Sequence, residues 1–115
     1  MKINEVTQLY VENDSIQLEQ VDIGVRRKIM AYDESLMLVK VAFEKGGIGT
    51  VHLHPHSQIT HIESGVFDVE IDGKKKILKA GDAFYIPPNT LHGAICLEAG
   101  TLIDVFSPMR EDFIK

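Results

Sequence analysis

The sequence predicts an all-β domain, a sandwich or small antiparallel barrel, on three observations. From residue 25 to residue 107 the apolar residues alternate or stand in short blocks. Glycine, proline, asparagine and aspartate punctuate those blocks at the roughly 8–12-residue spacing of sandwiches and barrels. Helical periodicity is thin throughout. The chain has 115 residues, 44% apolar and 25% charged, enough for one compact domain with its own core and too few for two.

The elements follow in order. Residues 1–24 read as an N-terminal strand or arm; within them QLYVENDSIQLEQV (8–21) suits a short helix or an edge strand equally. VRRKIMAY (25–32) and SLMLVKVAFE (35–44) are strands separated by YDES. IGTVHLH (48–54) follows the EKGG turn, and Pro55, which lacks a ladder donor, ends it. QITHIE (58–63) begins the next strand. GVFDVEI and KKKILKA flank Asp72-Gly73, a hairpin pair in which both turn positions need positive φ. Lys74, Lys75 and Lys76 then leave that turn as solvated strand residues. DAFYI (82–86) runs into Pro87-Pro88-Asn89, where asparagine tolerates turn geometry that other residues resist. HGAICLE (92–98) and TLIDVFS (101–107) complete the barrel core of about 25–107, and 108–115 is a charged tail. The chain shows no repeat and no low-complexity linker.

Charge and cysteine content narrow the function. Twelve basic against 17 acidic residues leave a net charge of −5, which argues against a surface that tracks nucleic-acid phosphates. No stretch approaches the roughly 18 apolar residues of a membrane helix. The charged N-terminal residues hold no apolar run of signal-peptide length, and one cysteine, Cys96, makes no internal disulfide. The expectation is a cytoplasmic protein.

The densest chemistry lies in HLHPHSQ (52–58). His52 and His54 are two apart, so on a strand both imidazoles share one face, together with Thr50. Two neutral imidazoles side by side form a claw for a borderline divalent metal. The plain alternative is an exposed or hydrogen-bonded pair. Gln58 opens the next strand and offers an amide oxygen as third ligand. His92, presented by the Pro87-Pro88-Asn89 turn, would join them if the sheet closes as a barrel. His56 reads as a rim residue, and His61, of opposite parity to Gln58, faces the other side of its sheet. On the last strand Leu102, Asp104 and Phe106 share a face, and Ile103 and Val105 point away.

Two stretches carry a family resemblance. Gly46 to Gly65, with His52, His54 and Gln58 in place, resembles the first cupin motif, and Gly81 to His92 resembles the second, with Asn89 where a glycine often stands. The resemblance implies a jelly-roll barrel with a metal inside, bound by His52, His54, Gln58 and His92. A glutamate is usual at the position of Gln58. Three imidazoles and an amide leave the dication uncompensated, a set that suits nickel, zinc, iron or manganese and should attract an anionic substrate while holding metal weakly. SLMLVKVAFEKGG (35–47), IPPNTLHGA (86–94) and IDVFSPMREDF (103–113) are further similar to the small single-domain cupins of the pectin-degradation (KdgF-like) type, with Met109 where many relatives carry proline.

That closer resemblance implies ring opening of 4,5-unsaturated uronate monosaccharides from pectin or alginate to linear 4-deoxy-5-keto uronates. Its partner is then a small anionic sugar, with neither nucleic acid nor membrane involved. Asp104, flanked by Leu102 and Phe106 on an interior face, would be desolvated and serve as general acid/base. Phe106 would be the wall against which the sugar packs, and Arg110 a clamp for carboxylate or hydroxyl at the mouth. Glu111 and Asp112 read as solvated tail residues; Tyr85 and Cys96 read as core or opposite-face residues. Family habit and unprotected edge strands point to a homodimer paired through N-terminal strands. Two other readings use the same pocket: an iron-dependent cupin dioxygenase, and a non-catalytic sugar-binding cupin.

Overall fold

A computed structural model describes residues 8–114. A 3-10 turn at Asn13–Ser15 leads into ten strands: β1 (Glu19–Asp22), β2 (Val25–Asp33), β3 (Leu36–Phe43), β4 (Ile48–His52), β5 (Ser57–Ile62), β6 (Val66–Ile71), β7 (Lys74–Lys79), β8 (Ala83–Ile86), β9 (His92–Glu98) and β10 (Gly100–Ser107). A four-residue helix, α1 (Glu111–Ile114), follows. The strands form two antiparallel sheets, one ordered β1-β2-β3-β10-β5-β8 and the other β4-β9-β6-β7. This is the predicted all-β jelly roll. None of the described helices is long and apolar enough to cross a membrane.

Alternation drives the two sheets together. In β3, Met37, Val39, Val41 and Phe43 are buried on one face, and in β5 Gln58, Thr60 and Ile62 are. The apolar ones among these residues meet Phe67 and Val69 of β6, Cys96 of β9 and Leu102 and Phe106 of β10 in one core between the sheets. Phe43 and Phe67 join the two sheets edge to face, with centroids 5.3 Å apart. The Asp72-Gly73 turn has φ of 52° and 78°, as its hairpin requires, and Asn89 has φ of 60°.

Residues 8–21, read as a short helix or an edge strand, hold the 3-10 turn and the start of β1, which pairs with β2 at the edge of its sheet. Residues 1–7, the rest of the expected N-terminal arm, lie outside the described residues. Three local expectations change. β4 ends at His52, before His54. A bulge between Gly49 and His52 also shifts its pairing with β9, so Gly49 and His52, three apart, both line the interior cavity while Thr50 lies outside it. Lastly, the tail turns back as α1 instead of leaving the barrel.

One backbone crossing is tight enough to predict its consequence. A Cβ on Gly100 would collide with the Ser64 carbonyl, and a Cβ on Gly65, itself at φ 88°, would lie 2.6 Å from the Glu98 carbonyl oxygen. Gly100→Ala should therefore cost about 2 kcal/mol of stability, visible as a lower denaturation midpoint with an unchanged slope.

Candidate metal centre and active site

The site is assembled from four strands, β4, β5, β9 and β10, and two loops around a cavity of about 290 Å³. His52, the last residue of β4, pairs directly with His92, the first of β9, which sets their rings 4.5 Å apart. His54 reaches the same spot from the loop that follows β4, with its ring 5.5 Å from His52 and 4.8 Å from His92. One ligand atom from each of the three lies within 4.8 Å of the others. His54 and His92 are buried, and His52 faces outward enough to stay accessible.

Hydrogen bonds set which nitrogens remain available. His52 Nδ1 donates to the Thr50 carbonyl at 2.7 Å, and His92 Nδ1 donates to the Thr90 carbonyl at 2.8 Å. Each ring thereby turns its Nε2 lone pair towards the other histidines. Burial pushes the His54 pKa down to about 4, helped by the Arg110 and His92 charges, and lowers that of His92 as well. Both rings are therefore neutral at pH 7, the form a metal requires. Gln58 Oε1 stands 3.0 Å from His54 Nε2. Two donors at right angles on one ion, with bonds of about 2.1 Å, would have about that separation. The donor set fits a divalent ion held by His52, His54, His92 and Gln58.

Gln58 is oriented by what lies behind it. Its Nε2 donates to Thr60 Oγ1 at 2.9 Å and to Asp104 Oδ1 at 3.4 Å, while the Thr60 hydroxyl donates to Asp104 Oδ1 at 2.6 Å. An amide can meet this demand because one end donates to the carboxylate and the other presents an oxygen to a cation. A glutamate at 58 would set two carboxylates against each other. Thr60 was legible as a neighbour of Gln58 on the same face of β5, yet parity alone does not reveal that it holds Asp104, its cross-strand partner on β10.

Asp104, Phe106 and Leu102 all line the cavity, as their shared parity predicts. Burial raises the Asp104 pKa to about 6, against the opposing pull of the Thr60 hydrogen bond and the Arg110 charge. Its remaining contact with solvent is through the cavity. Thr60→Val, which removes one of the bonds that stabilise the carboxylate, should raise the Asp104 pKa further; titration of the 13C-labelled carboxyl checks the direction.

Arg110 is 8% exposed and lies at the cavity wall, its Cζ 5.2 Å from the Phe106 centroid. It does so because Asp112 holds it, accepting from Nε at 3.1 Å and from Nη2 at 2.9 Å. Asp112 is exposed, as read for a solvated tail residue, but it does more than face water: its carboxylate orients Arg110, and that bond lowers its own pKa. Phe113 was also missed. Its ring packs edge-on to Phe106 at 5.8 Å and carries the Arg110 guanidinium at 4.3 Å. Nothing in the spacing of a charged tail foretells the turn of α1 that brings it back. His56 and His61 occupy the loop and the outer face as read, and Tyr85 is exposed. Cys96 is buried in the core.

A jelly-roll barrel with this histidine and glutamine set defines the cupin class. The chain belongs to the cupin family, whose model for a cupin domain matches residues 39–106. Among its relatives is the pectin degradation protein KdgF of Dickeya dadantii (strain 3937), 46% identical over 107 residues, which are 91% of this chain and 97% of that protein. The crystal structure of an RmlC-like cupin from Shewanella frigidimarina superposes with a TM-score of 0.91 at 42% identity, covering 94% of this chain and 97% of the other. The structure of KdgF from Halomonas sp. gives 0.88 at 42% identity, covering 93% and 99%.

Proposed function

We propose that this protein is a metal-dependent, non-redox, isomerase-like enzyme that opens the ring of 4,5-unsaturated uronates from pectin or alginate breakdown, yielding linear 4-deoxy-5-keto uronates. The observation that carries the reading is Asp104: a carboxyl with pKa of about 6, inside the cavity that holds the histidine cluster and Arg110. The likeness to a pectin degradation protein supports a sugar of pectin origin as the substrate. The same reading makes it a cytoplasmic enzyme working as a homodimer, with nickel, zinc, iron or manganese as the ion.

The reaction needs a proton taken from the hemiacetal hydroxyl, cleavage of the bond between the anomeric carbon and the ring oxygen, departure of that oxygen as an enolate, and protonation at C4. Atoms and electrons balance within the one molecule. A divalent ion at the histidine cluster supplies electrostatic stabilisation of the negative charge that develops on oxygen. Asp104 as carboxylate accepts the hydroxyl proton, and as the acid returns it at C4; a pKa near working pH suits both halves. Thr60 and Gln58 hold that carboxylate in place. Phe106, 2% exposed, provides the flat wall. Arg110, with one edge held by Asp112, keeps its remaining donors for the sugar's oxygens.

The test is the loss of enol-ether absorbance when metal-loaded protein meets a freshly generated unsaturated uronate monomer, with chelator-treated protein alongside. Metal-dependent acceleration over the spontaneous rate supports the reading, and its absence with a filled site contradicts it.

A further inference from the structure

Arg27 lies on β2 opposite Val41 of β3 and lines the same cavity as Asp104 and Arg110. The two guanidiniums differ in their company. Arg110 gives its Nε and Nη2 to Asp112. Arg27 has no carboxylate within salt-bridge distance among the described residues. Glu19, its neighbour on β1, acts on it only through the electrostatic field, as do Asp112 and Asp104. Instead its Cζ stacks 3.8 Å from the Phe113 centroid, the ring that also carries Arg110 at 4.3 Å. Two cations share one aromatic ring at the edge of a cavity, one of them with no salt-bridge partner among the described residues. Such a pair repels itself when the cavity holds only water and is relieved by an anion placed beside it. An unengaged guanidinium has a full fork of donors matched to a carboxylate.

We infer that Arg27 is a second substrate anchor and binds the sugar carboxylate, with Phe113 holding its guanidinium against the cavity. The identity of the ligand rests on the uronate reading, but its chemistry, a sugar bearing one carboxylate, can be tested without turnover. Arg27 has no role in the reacting bonds; it acts on which sugars are held.

The experiment titrates metal-loaded protein calorimetrically with galacturonate and with galactose, and measures ring-opening kinetics, in wild type, Arg27→Met and Arg27→Lys. Wild type should prefer galacturonate. Arg27→Met should lose most of that preference and raise KM about ten- to a hundredfold, the size of a charged hydrogen-bonded pair, with a much smaller effect on kcat. Arg27→Lys should recover part of both. A wild-type KM and undiminished preference in folded Arg27→Met would overturn the inference, and so would an equal loss of galacturonate and galactose binding. If wild type opens no uronate ring, yet its galacturonate preference disappears in Arg27→Met, the anchor stands and the ring-opening reading falls. No preference in wild type removes the anchor whatever the kinetics show. Should Arg27→Met fail to fold, Arg27→Lys decides: the repositioned charge must raise KM more for the uronate than it weakens galactose.

Discussion

Asp104→Asn should slow ring opening by about three orders of magnitude while the divalent ion stays bound, the range expected when a general acid/base is removed. The substitution keeps an oxygen that can accept from Thr60 and Gln58, so the local hydrogen bonds survive. What disappears is the proton acceptor. Metal content measured beside the rate separates this from a collapsed site, and full turnover in the variant would remove Asp104 from the chemistry.

The same substitution has a stability signature in the metal-free protein, and its sign follows from linkage. The folded pKa of about 6 lies above the ordinary carboxyl value of 3.8, because burial penalises the ionised form. The fold thus favours the protonated carboxyl. That stabilisation is fully present below pH 3.8 and is lost as pH climbs through 6. Two pKa units correspond to about 3 kcal/mol, reduced to roughly 2 by water in the cavity. Metal-free Asp104→Asn should therefore melt higher than wild type above pH 6. The difference should close as pH falls towards 4, and parallel melting curves across that range would contradict it. His54 works in the opposite sense. Its folded pKa of about 4 is below the ordinary 6.5, so its contribution is present above pH 6.5 and is lost as pH falls through 4.

Chelation is the second large effect. Removing the divalent ion should bring the rate down by at least about a hundredfold, towards the spontaneous reaction, because charge on the departing oxygen loses several kcal/mol of stabilisation. It should also lower the melting temperature, by an amount that grows with the logarithm of the ratio of metal concentration to Kd. Gln58→Glu should hold metal more tightly, since it adds a negative donor. It should nonetheless impair turnover, because the new carboxylate would face Asp104 and raise its pKa beyond the useful range. Metal analysis and pH–rate profiles of the variant measure the two effects separately.

What was legible in the sequence was what depends on local period and turn chemistry. Alternation in β10 set Leu102, Asp104 and Phe106 on one face, the one that lines the cavity, and Asp72-Gly73 announced its hairpin. The cluster of His52, His54 and His92 follows from strand ends and one asparagine turn, so spacing could suggest it. The bulge in β4 was hidden, because Gly49, Thr50 and Val51 alternate like any regular strand and only pairing with β9 reveals the extra residue. The tail was hidden for a different reason. Asp112 and Phe113 matter through Arg110, Phe106 and Arg27, which lie on β2, on β10 and beyond its end, and no local pattern encodes that return.

Ring opening by the metal site and Asp104 without oxidation can be followed by NMR of the products when metal-loaded protein is incubated with the unsaturated uronate in an oxygen-free vessel. Full conversion to the linear 4-deoxy-5-keto uronate is expected without oxygen, and none above background with Asp104→Asn. Conversion that requires oxygen, or proceeds equally well with Asp104→Asn, would contradict this mechanism.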